Sequence, residues 1–258
     1  MNLNPMRKEL ATTTMRLSYD YSLQALFHDG EELAPSVRRL GELEDVVLDK
    51  DFFSQAAKDV ILYYMFRDLH RREDEEILRR NGIRYDVTII PPRNLGTEYV
   101  KTAGHYHPEA EASMSYTEIY EVLDGKAHFM LQKTERKIIT DVLLVEAVKG
   151  DKVIIPPNYG HVTINPSDEA LIMTNLVSGR FESVYEPYRN RRGAAYYELK
   201  DGSFRKNENY GRLPPLTQIK AEKRKWLLRE MDLYTLFVTT PGLFKFLNDP
   251  SEYSRLST

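Results

Sequence analysis

The clearest periodicity along the chain has the two-residue repeat of β-structure. Ile83, Tyr85, Val87 and Ile89 alternate with Arg84, Asp86 and Thr88, which predicts a strand with one buried face. Pro91-Pro92 ends it. Residues 97–107 predict a further strand. Residues 118–123 run into Asp124-Gly125, which predicts a hairpin with 126–132 as the returning strand. Lys149-Gly150-Asp151 marks a turn before 153–155. Pro156-Pro157 precedes a strand starting near His161, and Asn165-Pro166-Ser167-Asp168 turns into 170–177. Short strands at regular spacing with turn chemistry between them predict an antiparallel sandwich or barrel.

The flanks read differently. Residues 17–23 suggest a short strand, and 51–58 a short helix with an acidic start. Residues 60–66 fit either a buried strand or a continuation of that helix. Residues 70–80 are dense in charge and predict a solvated helix ended by Asn81-Gly82. After Leu213-Pro214-Pro215, residues 216–237 place Ile219, Trp226, Leu227, Met231 and Tyr234 at helical spacing. Their basic face (Lys220, Lys223, Arg224, Lys225) reads as solvated surface rather than a binding patch. Pro241 breaks this helix, and 242–248 predict a second short one.

Composition narrows the function classes. With 258 residues, 41% hydrophobic and 29% charged, the chain is expected to be a soluble globular protein of one large domain with appendages. No stretch approaches the 18 or more apolar residues of a membrane span, and no export signal follows Met1, so no membrane partner and a cytoplasmic location are expected. The absence of cysteine excludes disulfides, thiolate metal sites, iron–sulfur clusters and cysteine nucleophiles. A net charge of −3 gives no reason to expect a nucleic-acid partner.

Candidate chemistry sits in the β region. In Gly104-His105-Tyr106-His107, alternate side chains of a strand share a face, so both imidazoles can reach one ion while Tyr106 points elsewhere. Glu118 heads the next strand. His161 follows the turn Pro156-Pro157-Asn158-Tyr159-Gly160. Three imidazoles and a carboxylate suit a borderline divalent ion. Three of only six histidines belong to this set, each beside a turn. His28, His70 and His128 read as ordinary surface or packing residues.

These motifs resemble a known family. Thr102-Ala103-Gly104-His105-Tyr106-His107, Thr117-Glu118-Ile119-Tyr120 and Leu123-Asp124-Gly125 are similar to the first motif of the cupin superfamily. The run from Gly150 to Pro157, with Gly160-His161 and Asn165, is similar to the second. The nearer resemblance is to the cupin-type phosphoglucose isomerases first known from archaea. Their pattern is Thr-x-Gly-His-x-His, then Glu-x-Tyr, then Pro-Pro-x-x-x-His-x-x-x-Asn, and every position is filled here. Ser36-Val37-Arg38-Arg39-Leu40 and Thr88 also look like that family, so the likeness covers residues 36–200. The spacer between His107 and Glu118 is longer than in compact members, and the tail after Leu213 has no counterpart in them.

The resemblance implies a mainly β fold, a cupin double-stranded β-barrel (jelly roll) with N-terminal strands and helices and a C-terminal helical appendage. It divides the chain into a mixed segment 1–82 packing on the barrel, a barrel 83–212 and a helical extension 213–258. It implies a metal-dependent aldose–ketose isomerase that interconverts glucose 6-phosphate and fructose 6-phosphate in glycolysis and gluconeogenesis. One divalent ion, iron(II) by family or else manganese, nickel or zinc, would be held by His105, His107, Glu118 and His161. Glu118 and Tyr120 would serve catalysis, through a cis-enediol or alongside a direct hydride shift. Tyr63, Thr88, Thr102 and Gly104 would bind phosphate, with Arg67 and Arg84 as candidates on charge. A homodimer is expected, joined through the N-terminal segment or the apolar face of 216–237. The competing readings are another metal cupin enzyme (an isomerase or epimerase on a different sugar, or a dioxygenase) and a non-catalytic sugar-binding cupin.

Overall fold

The structure, a computed structural model, describes residues 6–10, 12–222 and 231–257. Its centre is built from ten strands: β1 (Ser36–Arg39), β2 (Ile61–Phe66), β3 (Ile83–Ile90), β4 (Glu118–Asp124), β5 (Lys126–Glu135), β6 (Ile138–Val148), β7 (Lys152–Ile155), β8 (Tyr159–Ile164), β9 (Leu171–Ser178) and β10 (Leu216–Lys220). They form a six-stranded sheet in the order β7-β4-β9-β3-β2-β1 and a four-stranded sheet in the order β8-β5-β6-β10. From β4 to β9 the chain changes sheet at every connection except β5 to β6. That alternation is the jelly roll of a cupin barrel, and the fold is mainly β as expected.

The connections correct the sequence expectations. Asp124-Gly125 does not close a hairpin, because β4 and β5 lie in different sheets. It turns a corner so tight that a Cβ on Gly125 would lie 2.6 Å from the Ala170 carbonyl oxygen. The hairpin is β5–β6, and its turn is Arg136-Lys137, with φ of 49° and 66°. Neither residue is the glycine or asparagine such a turn favours, so nothing in the turn chemistry marks it. Residues 97–107 are not one strand either. Glu98–Tyr99 is a short piece, followed by single bridges from Lys101 to Ile164 and His105 to His161. Gly104, at φ 78°, breaks the pleat between them.

Outside the barrel, residues 60–66 resolve as β2. The charged segment forms a 3-10 turn (Arg72–Asp74) and a helix (Glu75–Asn81), ended by Gly82 at φ 59°. Helix Lys50–Gln55 is capped by Asp49, whose side chain accepts from Phe52 N. Leu17–Asp20 joins Arg7–Glu9, Ala25–His28 and Glu31–Glu32 in a separate four-stranded sheet. Residues 216–220 are strand β10, parallel to the long β6, and not the start of a helix. Lys223, Arg224, Lys225, Trp226 and Leu227 of the expected helix lie outside the described residues. Helix Leu233–Thr239 is capped by Asp232, and Pro241–Leu247 is a 3-10 helix. Among the described residues no helix is long and apolar enough to cross a membrane.

Two cores result. One lies between the sheets and includes Val122, Phe129, Leu144, Ile155 and Met173. The other lies on the outer face of the six-stranded sheet, where Tyr85, Val87 and Ile89 of β3 meet Leu17 and Leu26 of the N-terminal sheet and Phe237 and Phe244 of the tail. The alternation along β3 therefore has the opposite sense from a solvated strand. Its apolar side chains face outward into the second core, and Asp86 and Thr88, both buried, face the barrel interior. Each fully buried aromatic or leucine in that outer core contributes about 1.5–3 kcal/mol. Leu233, Tyr234, Leu236 and Phe237 are all buried in it, so the part of the tail expected to offer an apolar face to a second subunit packs within its own chain. The sheets also run across residues 82 and 212, since β1, β2 and β10 belong to them.

Candidate metal centre

Glu118 and Tyr120 are inward positions of β4, and His161 is one of the inward positions of β8. The backbones of His105 and His161 exchange hydrogen bonds, 3.2 Å from His105 N to His161 O and 3.0 Å in return. Tyr106 makes the same exchange with Val184, so the segment is held on both sides. Tyr106 points away, its hydroxyl accepting from Gln132 and Thr134. One donor atom from each of His105, His107, Glu118 and His161 lies within 4.8 Å of the others. His107 Nε2 is 3.2 Å, and His161 Nε2 3.4 Å, from Glu118 Oε2.

In two of the four side chains the other polar atom is already engaged, which aims the donor. His107 Nδ1 lies 3.0 Å from the Tyr116 carbonyl and must donate to it, leaving Nε2 as the bare lone pair. Asn175 Nδ2 donates to Glu118 Oε1 at 2.7 Å, leaving Oε2. Both bare atoms are buried and lack a hydrogen-bond partner. Unpartnered buried polar atoms are costly, and a shared cation would satisfy these two. The protonation states agree. Burial, with the neighbouring His161 and His107, pushes the His105 imidazole well below its ordinary value. Burial lowers His161 to about 4. Burial alone would raise the Glu118 carboxyl, but the His107 and His161 imidazoles beside it hold it below the usual range. Neutral imidazoles and an ionised carboxylate are what metal binding requires, so the four residues fit a divalent ion.

The cluster opens into a cavity of about 450 Å³. Tyr120 lines it, its hydroxyl 3.1 Å from His161 Nε2. Tyr63, Thr88, Thr102 and Gly104 line the same cavity, as do Arg67 and Arg84. Thr102 Oγ1 accepts from Thr163 N at 3.0 Å, so its hydroxyl hydrogen remains for a ligand. Tyr63 accepts a long bond of 3.4 Å from Ala103 N. Gly104 is demanded by packing, not only by ligand approach. A Cβ there would lie 2.6 Å from both Tyr188 Cδ1 and Val162 Cγ2.

Several residues of the site carry no motif. Asn175 orients Glu118 and Asp86 holds two arginines, and the only signal for either is a polar residue inside a strand. Phe181, Glu182, Ser183 and Tyr185 close one side of the cavity. Phe181 stacks on Tyr116 with centroids 4.7 Å apart and lies 4.7 Å from His107. Away from the cavity, His128 is bonded to Glu198 at 2.8 Å, and His28 lies 3.5 Å from Asp29.

The family model described as glucose-6-phosphate isomerase (GPI) matches residues 37–214. The glucose-6-phosphate isomerase of Thermococcus litoralis is 26% identical over 166 residues, covering 63% of this chain and 80% of that protein. The protein of the same name from Pyrococcus abyssi is 30% identical over 138 residues, and that from Pyrococcus furiosus 29% over 139. Each of these two alignments covers 53% of this chain and 66% of the relative. A solved oxalate oxidase in complex with glycolate superimposes at a TM-score of 0.38 and 15% identity, over 52% of this chain and 59% of that one, too loosely to bear on function. The matched segment runs from β1 to the threshold of β10 and contains all four residues of the cluster, and the chain belongs to the archaeal, cupin-type glucose-6-phosphate isomerase family.

Proposed function

We propose that this protein is a metal-dependent isomerase interconverting glucose 6-phosphate and fructose 6-phosphate, with the ion, iron(II) by family, held by His105, His107, Glu118 and His161. The observation that carries the reading is the pair of bare, buried donor atoms, His107 Nε2 and Glu118 Oε2, at the wall of a cavity with room for a hexose phosphate. A divalent ion bound there supplies a Lewis acid for the charge that develops on neighbouring sugar oxygens. The chain's own residues position the substrate. The hydroxyls of Thr88, Thr102 and Tyr63 and the amide of Gly104 take the phosphate. Glu118, fixed by Asn175, holds or passes the proton exchanged between C1 and C2. Tyr120 donates its hydroxyl hydrogen to a sugar oxygen, and its pKa, raised well above the ordinary value by burial, keeps that hydrogen in place.

Metal-loaded protein is expected to convert fructose 6-phosphate to glucose 6-phosphate, read by a coupled dehydrogenase assay. Chelation should abolish turnover, and returning iron(II) or manganese should restore it. The β circular-dichroism signature should survive chelation, because two cores of this size do not depend on one ion. Full metal occupancy with no turnover of any hexose 6-phosphate would defeat the proposal. A homodimer, a cytoplasmic location and a place in glycolysis and gluconeogenesis belong to the same reading. So does the division into segments 1–82, 83–212 and 213–258, with β1, β2 and β10 reaching across those bounds to extend the barrel's sheets.

A further inference from the structure

Asp86 stands on the inward face of β3 and is fully buried. It accepts hydrogen bonds from Arg67 Nη1 (2.7 Å), from Arg84 Nε (2.9 Å to each oxygen) and from Asp68 N (2.9 Å). One carboxylate thus holds two guanidinium groups, which leaves one positive charge in excess. Both arginines line the cavity, with side chains 42% and 34% exposed. A buried carboxylate serving only to neutralise a cation needs one partner. This one aims a second.

Register locates that charge. Tyr120 lies opposite Asn175, and Asn175 opposite Asp86. Phe66 pairs with Val87, so Arg67 falls beside Asp86. Tyr120, Asn175, Asp86 and Arg67 form one row across four adjacent strands, and Glu118 lies two residues along β4 in the next inward row, with Val177 and Arg84. Tyr63 lies four residues back along β2, about 13 Å away at strand rise. The positive charge therefore stands at the cluster end of the cavity, away from the end lined by Tyr63. Consistent with this, the Asp86, Tyr120 and Glu118 side chains outweigh burial in holding Arg67 charged.

We infer that Arg67, aimed by Asp86, is a catalytic residue of the isomerisation: its guanidinium meets the C1–C2 end of the sugar and stabilises the negative charge that develops there. The inference rests on the isomerase reading. A cation already held by Asp86 and, through Nη2, by Met65 Sδ at 3.2 Å needs little reorganisation when the charge appears, and the planar fork of arginine holds an orientation that lysine cannot. Asp86 is its positioning residue.

The test is steady-state kinetics of metal-loaded Arg67→Gln, Arg67→Lys and Asp86→Asn, with binding of two probes, 6-phosphogluconate (a carboxylate at C1) and glucitol 6-phosphate (neutral there). Arg67→Gln should lower kcat by about 100-fold or more with KM within about threefold of wild type. Arg67→Lys should recover part of the loss, and Asp86→Asn should fall between. Wild-type protein should bind 6-phosphogluconate at least about tenfold tighter than glucitol 6-phosphate, and Arg67→Gln should lose that preference. A raised KM with unchanged kcat, and equal weakening of both probes, would make Arg67 a phosphate contact and overturn the inference. Unchanged kinetics and binding would overturn it as well. If Arg67→Gln fails to fold, the lysine variant decides. Wild-type protein without isomerase turnover would sink the reaction assignment, while the probe preference would still report whether Arg67 faces an anionic end.

Discussion

Replacing Gly104 by alanine tests whether packing behind the metal ligands holds them in place. The backbone there has φ 78°, a conformation that costs an L-residue about 1–2 kcal/mol. The added Cβ would lie 2.6 Å from Tyr188 and from Val162. Tyr188 is fully buried and Val162 nearly so, so neither can retreat to solvent, and overpacking of this kind costs about 1–3 kcal/mol. The sum is about 2–5 kcal/mol, or a melting temperature lower by about 5–15 °C in a chain of this size. Thermal unfolding followed by circular dichroism on the chelated protein reads this without interference from the ion. Val162→Ala, which removes one of the two clashing groups, should show a favourable coupling of about 1 kcal/mol with Gly104→Ala in a double-mutant cycle. Metal affinity should fall as well, because His105 and His107 follow the displaced residue directly. If Gly104→Ala melts within a degree of wild type, with no coupling to Val162, the glycine is required only by the ligand and the packing argument fails.

Three further outcomes are expected. In chelated protein His161 has its pKa lowered by burial to about 4, so the unfolded chain binds the proton more readily. Stability should then fall as pH drops from about 6.5 to about 4, by about 3 kcal/mol from this group; urea midpoints at pH 7 and pH 4 check it, and His161→Gln should flatten the slope. Asn175→Ala removes the donor to Glu118 Oε1 and should weaken metal binding by about 10–100-fold with little change in melting temperature, measured by competition with a fluorescent chelator. Thr88→Val should raise KM for fructose 6-phosphate by about tenfold and leave kcat near wild type, since a phosphate contact is alike in ground and transition states.

Much of the barrel was legible because strand period and turn chemistry are local. Residues 83–90, 118–124 and 171–178 each show their own period or are bounded by their own turns. The four residues of the metal cluster stand out in the sequence because each histidine adjoins a turn and Glu118 heads a strand. Connectivity was not legible. Asp124-Gly125 has the same chemistry whether it closes a hairpin or turns a corner between sheets, and only the packing of Gly125 against Ala170 decides. The Arg136-Lys137 turn adopts positive φ at two residues with no local preference for it, so the ten cross-strand pairs of β5 with β6 impose the turn and not the reverse. Leu216–Lys220 is a strand because the edge of β6 is there to receive it, which no window of five residues can reveal.

One buried face was predicted for β3, and both are buried. Alternation in β3 separates Ile83, Tyr85, Val87 and Ile89 from Arg84, Asp86 and Thr88, but it does not say which set faces water. In a single-core barrel the apolar set would point inward. Here the N-terminal sheet and the tail supply Leu17, Leu26, Phe237 and Phe244, which cover the outer face and take the apolar set. The inner face is thereby released from the need to be apolar. That release is what allows a buried aspartate, two arginines and a threonine to line the cavity without costing the fold its core. Asp86 is itself fully buried and so must be paired, and its partners, Arg67 and Arg84, place positive charge in the cavity that the metal cluster lines.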